Sequence, residues 1–109
     1  MRLHLSPFVP GDLEEIGDFI ASDSPRHALR VIRLLRAKFK AIAKQPAIYR
    51  LRPEIAPDVR IAIVGQYVIL FRIRNRTVRI ERVLHGNRNL PDVMAEGDVY
   101  KRQHLASEM

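Results

Sequence analysis

This 109-residue chain contains no cysteine and no tryptophan. Without cysteine there is no disulfide and no thiolate metal site, and a cytoplasmic home is expected. Its four histidines, His4, His27, His85 and His104, are widely spaced and have no carboxylate cluster beside them, so no metal site and no cofactor are expected. Five scattered glycines make no phosphate-cradling loop. Aromatic residues are 6% of the chain, which leaves little for stacking on nucleic-acid bases. Long apolar runs are missing too. Residues 1–7 lack the hydrophobic stretch of a signal peptide, and the longest uncharged run, Ile61 to Phe71, is far too short to span a bilayer.

What the chain has in plenty is positive charge. Lys and Arg number 19 against 12 Asp and Glu, a net charge of +7. The balance is uneven: residues 1–91 hold 17 basic and 8 acidic side chains, whereas residues 92–109 hold 2 and 4. A body with this excess attracts a polyanion or an acidic protein partner, or is simply soluble.

The length fits one domain, and its 47% hydrophobic residues suffice for a modest core. Arg2 to Leu5 reads as a short strand. A helix is expected to start near Pro10 to Asp12, with Asp12, Glu14 and Glu15 at the positive end of its dipole and Leu13, Ile16 and Ile20 on one face. Ser24 as N-cap with Pro25 behind it starts a second helix. There Ala28, Val31, Ile32, Leu35, Phe39 and Ile42 keep helical spacing, opposite a basic face of Arg26, Arg30, Arg33, Lys40 and Lys44, until Gln45-Pro46.

A proline-punctuated loop over 46–57 precedes three strands, Val59 to Val64, Tyr67 to Ile73 and Thr77 to Leu84, turned by Gly65-Gln66 and Arg74-Asn75-Arg76. The middle strand is nearly all apolar and should be covered on both faces. In the last, Val78 and Ile80 alternate with Arg79 and Glu81, as for one buried and one wet face. The expected fold is α+β: a helical hairpin on a small twisted antiparallel sheet, in the order β-α-α-β-β-β. The domain is expected over residues 1–91, with residues 92–109 as a tail, either flexible or unrelated to the domain.

The last strand runs into His85-Gly86-Asn87-Arg88, which delivers a histidine and an arginine together at a strand end. Three residues invite a chemical role. Arg60 either binds a phosphate or is an ordinary surface arginine. Arg82 shares strand parity with Val78 and Ile80, so it points toward the apolar side unless a bulge intervenes; Glu14, Glu15, Asp18 or Glu54 would then be its partner. His85 is either a general acid–base group or a turn residue bonded to backbone.

Taken together, Asp12-Leu13-Glu14-Glu15-Ile16 with Phe19-Ile20, Ser24-Pro25 with Ala28, Val64-Gly65-Gln66-Tyr67 and the ending from Val78 to Leu90 resemble the RelE/ParE toxin superfamily of type II toxin–antitoxin pairs, over residues 2 to about 91. The Arg82-Val83-Leu84-His85-Gly86-Asn87-Arg88 ending is closer to the ParE branch. That resemblance implies a growth-inhibiting toxin that poisons DNA gyrase, touching its target through His85 and Arg88, with no catalytic residues. The other branch would imply a ribosome-dependent endoribonuclease cutting messenger RNA with Arg60, Arg82 and His85. A decayed toxin that only binds antitoxin is the third reading. Each implies an acidic antitoxin that folds on binding. The expected contacts are Leu13, Ile16 and Phe19 with Arg30 and Arg33 on the hairpin, and Arg72 and Arg79 on the sheet. No membrane partner is expected.

Overall fold

The computed structural model describes residues 1–97. Its elements are β1 (Arg2–Leu5), α1 (Val9–Ala21), α2 (Pro25–Lys44), a 3₁₀ turn (Pro46–Ile48), β2 (Arg50–Leu51), β3 (Arg60–Val64), β4 (Tyr67–Arg74) and β5 (Thr77–His85). The helical hairpin and the meander are where the hydrophobic periodicity predicts them. Ser24 caps α2 as expected, its side-chain oxygen accepting the His27 N–H at 3.2 Å. Helix α1 starts at Val9, slightly earlier than expected. The Ser6 hydroxyl accepts the Phe8 N–H and donates to the Glu81 carbonyl at 2.6 Å, which turns the chain directly from β1 into the helix.

The sheet has five strands in the order β1-β5-β4-β3-β2. It is mixed rather than wholly antiparallel, because β1 pairs parallel with β5, Arg2 opposite Thr77 to Leu5 opposite Ile80. The chain between them returns so that β5 lies beside β1. The unforeseen β2 is two residues long and pairs only with Ile61 and Arg60. It falls in the 46–57 loop, where two residues leave no alternation to read.

Both faces of β4 are covered, as its composition requires. On one face Ile69 and Phe71 join Val78, Ile80 and Val83 of β5 beneath Leu13, Ile16 and Ile20 of α1 and Val31, Leu35, Phe39 and Ile42 of α2. On the other, Val68, Leu70, Ile61 and Leu84 meet Ile55, Ala56 and Val59 from the loop and Val93 and Met94 from beyond β5. Residues 90–97 are helical, and Val93 and Met94 are buried. Pro91, the expected domain boundary, thus lies inside a packed segment. Only two buried side chains mark that segment, too few to show periodicity. The rest of the expected tail, residues 98–109, lies outside the described residues.

A bulge decides the face each β5 side chain takes. Leu70 pairs with Arg82 and Phe71 with Ile80, so Glu81 is an extra residue. Parity therefore flips between Ile80 and Val83, and both face the helices. Nor are Arg79 and Glu81 on a wet face. Glu81 is 4% exposed and pairs with Arg79 and, at 3.0 Å, with Arg72, whose Nε donates to the Pro57 carbonyl.

At the β4–β5 turn, Asn75 and Arg76 both have positive φ, 49° and 60°. This is the conformation of a two-residue hairpin turn that favours Asn-Gly, so Arg76 holds a place suited to glycine. Arg76→Gly is expected to raise the unfolding free energy by about 0.5–1 kcal/mol. Met94→Ala should lower it by about 2 kcal/mol if residues 90–97 belong to the core. Urea unfolding of the two variants beside the parent chain measures both.

Candidate functional site

The site is built where β1 ends. Beyond Ile80 the edge of β5 has no strand beside it, and α1 crosses there. Asp12 sits in the first half of α1, buried, with its carboxylate turned to the sheet. Oδ2 accepts the Val83 N–H at 3.0 Å and the Arg82 Nε–H at 2.8 Å, while Oδ1 accepts from Nη2 of Arg82 at 2.7 Å. One carboxylate thus replaces a missing strand partner and holds a two-armed ion pair. The Asp12 hydrogen bond raises the pKa of Arg82 against the opposing effect of burial. The guanidinium also lies 4.9 Å from the centre of the Phe8 ring.

Arg82 therefore does have a carboxylate partner, but it is Asp12 and not Glu14, Glu15, Asp18 or Glu54. Asp12 looked like an acid at the start of a helix. It does lie in the first turn of α1, but its carboxylate faces the sheet and not solvent.

Past this clamp, α1 and the β4–β5 end enclose a groove of about 420 Å³. Its wall on the helix side carries Glu15, Ile16 and Phe19, and its sheet side carries Tyr67, Leu84 and His85, with Gln66, Asn87 and Arg88 at the mouth. Phe19 is 74% exposed, so a large aromatic ring stands in solvent at the rim. Tyr67 and His85, opposite each other in the ladder, meet edge to face with ring centres 5.6 Å apart.

The turn after β5 fixes the histidine. The Asn87 N–H donates to His85 Nδ1 at 3.2 Å, and Nε2 of the ring lies 3.2 Å from the Gln66 side-chain oxygen. Gly86 donates its N–H to the Gln66 carbonyl at 2.8 Å, and a Cβ at this position would come within 3.3 Å of that same oxygen. The Arg88 N–H returns to the His85 carbonyl. The His-Gly-x-Arg segment is thus a closed turn that presents an imidazole and a guanidinium beside an apolar slot.

Arg60, by contrast, is far from this turn. It lies in the row of Phe71 and Ile80, whereas His85 lies in the row of Tyr67 and Val64, four residues along β3. At about 3.3 Å per residue and about 4.8 Å per strand, the two backbones are roughly 16 Å apart. The Arg60 Nη1 donates to the carbonyls of Tyr49 at 2.7 Å and Ala47 at 3.3 Å, tying down the turn after α2. Arg60, Arg82 and His85 do not converge. Among the described residues no group of three or more His, Asp or Glu is placed to hold a metal ion.

The expected partner contacts divide by exposure. Phe19, Arg30 and Arg33 are exposed. Leu13 is core, and Ile16 is buried but reaches the groove wall. Arg72 and Arg79 are not a free strand surface: both engage Glu81, on strands that are interior to the sheet. The edge of β5 is covered by β1 over residues 77–80. The sequence marks Gln66 and Tyr67 only as a turn and a strand start; the pairing of that turn with the end of β5 brings them to the site.

The profile of the family described as "ParE toxin of type II toxin-antitoxin system, parDE" matches residues 3–90. A curated relative, "Putative toxin Y4kP" of Sinorhizobium fredii (strain NBRC 101917 / NGR234), is 33% identical over 84 residues, covering 75% of this chain and 84% of that one. Among solved structures, a chain of the "Chromosomal ParDE TA system from P. aeruginosa" superposes with a TM-score of 0.69 at 22% identity, over 78% of this chain and 95% of that one. At that identity the superposition speaks for the fold.

The Asp12 clamp gives a double-mutant cycle. Asp12→Ala alone should cost about 3 kcal/mol, since it strands a mostly buried guanidinium and a strand N–H. Arg82→Met in the Asp12→Ala background should restore part of it, with a coupling energy of about 1–3 kcal/mol. Additive losses in urea unfolding would contradict the clamp.

Proposed function

The chain belongs to the ParE toxin family of type II toxin–antitoxin systems, and on that premise we propose that it arrests growth by poisoning DNA gyrase in the cytoplasm and is silenced by a cognate acidic antitoxin. The observation that carries the reading is the fate of the three residues a messenger-cutting toxin would use. Arg60 is spent on backbone carbonyls, two strands away from His85, and Arg82 is spent on Asp12. What remains at the end of the sheet is a binding surface: an apolar slot, the exposed Phe19 ring and the rigid His85–Arg88 turn.

In this reading His85 and Arg88 touch the target. An imidazole and a guanidinium on a closed turn give directional hydrogen bonds with little ordering cost. The antitoxin segment lies on the helical hairpin, where Phe19 offers an apolar anchor and Arg30 and Arg33 offer charge. Apolar burial supplies most of the affinity, and the charges speed encounter. No helix among the described residues is long and apolar enough to cross a membrane, in keeping with a target in solution.

Purified toxin is expected to block supercoiling by purified gyrase. His85→Ala and Arg88→Ala should each raise the toxin concentration for half-inhibition roughly tenfold, the loss of an interface contact worth about 1.4 kcal/mol. Their unfolding curves should be unchanged apart from the Asn87 turn bond that His85 accepts. Undisturbed supercoiling at large toxin excess, with translated messages cut in a cell extract, would replace this reading with the ribonuclease one. No effect in either assay, and no effect on growth, would leave a chain that only binds antitoxin.

A further inference from the structure

The unusual surface of this molecule is the outer side of α2. Residues 25–44 contain seven Lys and Arg and no Asp or Glu. At 100° per residue, Arg26, Arg30, Arg33, Lys40 and Lys44 fall within an arc of about 80°, directly opposite buried Val31, Leu35 and Ile42. All five are exposed. From Arg26 to Lys44 the stripe runs about 27 Å along a straight helix.

Carboxylates are used elsewhere. Arg52, Arg72, Arg74, Arg79 and Arg82 each pair with Glu54, Glu81, Asp58 or Asp12. Among the described residues, none of the five stripe cations has an ion pair or a side-chain hydrogen bond to protein. Like charges on one helix face repel one another, and no carboxylate among the described residues pairs with them.

We infer that this stripe is a binding surface for the phosphate backbone of double-stranded DNA. The chemistry of the arc selects that occupant. A protein partner of useful affinity needs a buried apolar or aromatic anchor at the centre of its footprint. The centre of this arc holds only Ala37 between cations. The exposed Leu29 and Leu34 lie outside it, on opposite flanks about 140° apart, so no single flat contact takes both with the stripe. Single-stranded nucleic acid needs aromatic rings to stack on, and the arc has none. A duplex backbone needs only cations along a line, because release of its condensed counterions drives the association. A contact made to phosphates alone reads charge and not sequence. The surface goes beyond the gyrase and antitoxin reading; it shares Arg30 and Arg33 with the hairpin face proposed for the antitoxin, so the two occupants compete there. It is separate from the His85–Arg88 turn.

The test is fluorescence anisotropy of the full chain with a labelled 30-base-pair duplex and no gyrase present, so that its result stands apart from the supercoiling assay. With five phosphate contacts, affinity should fall about 500-fold between 50 and 200 mM salt. Arg30→Ala, Arg33→Ala and Lys40→Ala together should cut that fall to about 10-fold. These positions are exposed, so the circular dichroism melt should not change. A variant with the same net charge, Arg2→Ala, Arg50→Ala and Arg76→Gly together, should keep the steep dependence. Two duplexes of unrelated sequence should bind equally. Equal losses in both triple variants would overturn the stripe as the site. Tighter binding of single-stranded RNA or of a poly-glutamate peptide than of the duplex would overturn DNA as its occupant.

Discussion

Asp12 holds the molecule's two layers in register. A parallel edge strand of four residues, β1, can protect β5 only as far as Ile80. From there the sheet would present open N–H groups toward the underside of α1, where no water can satisfy them. A carboxylate on the helix resolves this: it takes the Val83 N–H and neutralises the arginine that the bulge pushes to the same edge. The position of α1 over the sheet, and with it the width of the groove beside Phe19 and Tyr67, follows from one side chain reaching across the layers. The bond is worth having because both partners are largely out of water, where an unpaired charge would be costly.

Much of the architecture was legible. Helix periodicity, the Ser24-Pro25 start and the Gly65-Gln66 turn each have a local physical cause, and the elements they predict are present. What escaped was non-local. Nothing in Val78 to Leu84 announces a bulge, yet the bulge turns the apparent parity of Arg82 and Val83 around. Glu81 reads as a wet-face residue because it alternates with Ile80. It is buried because Pro57, from a loop more than twenty residues earlier, closes over Arg72. The parallel pairing of β1 and β5 is likewise invisible to any window along the chain.

The candidate site divides in the same way. The His85-Gly86-Asn87-Arg88 ending was visible as a turn, because glycine next to hydrogen-bonding side chains has few other uses. Its walls were not, since Phe19 and Tyr67 lie almost fifty residues apart in sequence and come to one groove only because α1 packs on β5, the neighbour of β4. Arg60 showed the limit of single-residue reasoning: an arginine opening a strand looks the same whether it awaits a phosphate or braces a turn, and only its partners, the carbonyls of Ala47 and Tyr49, separate the two.

The two faces of the sheet are covered very differently. Two long helices seal one, whereas the other is roofed by an irregular loop around Ile55 to Val59 and by the short helical stretch that brings Val93 and Met94. A roof of this kind makes a separate cooperative unit, held by fewer apolar contacts than the body beneath it. It can lift while the hairpin, β4 and β5 stay folded, and the first surface it uncovers is Val68, Leu70 and Leu84. Among the described residues, amide exchange is therefore expected to be slowest on the helix side of the fold, and local opening is expected on the opposite side, away from the groove.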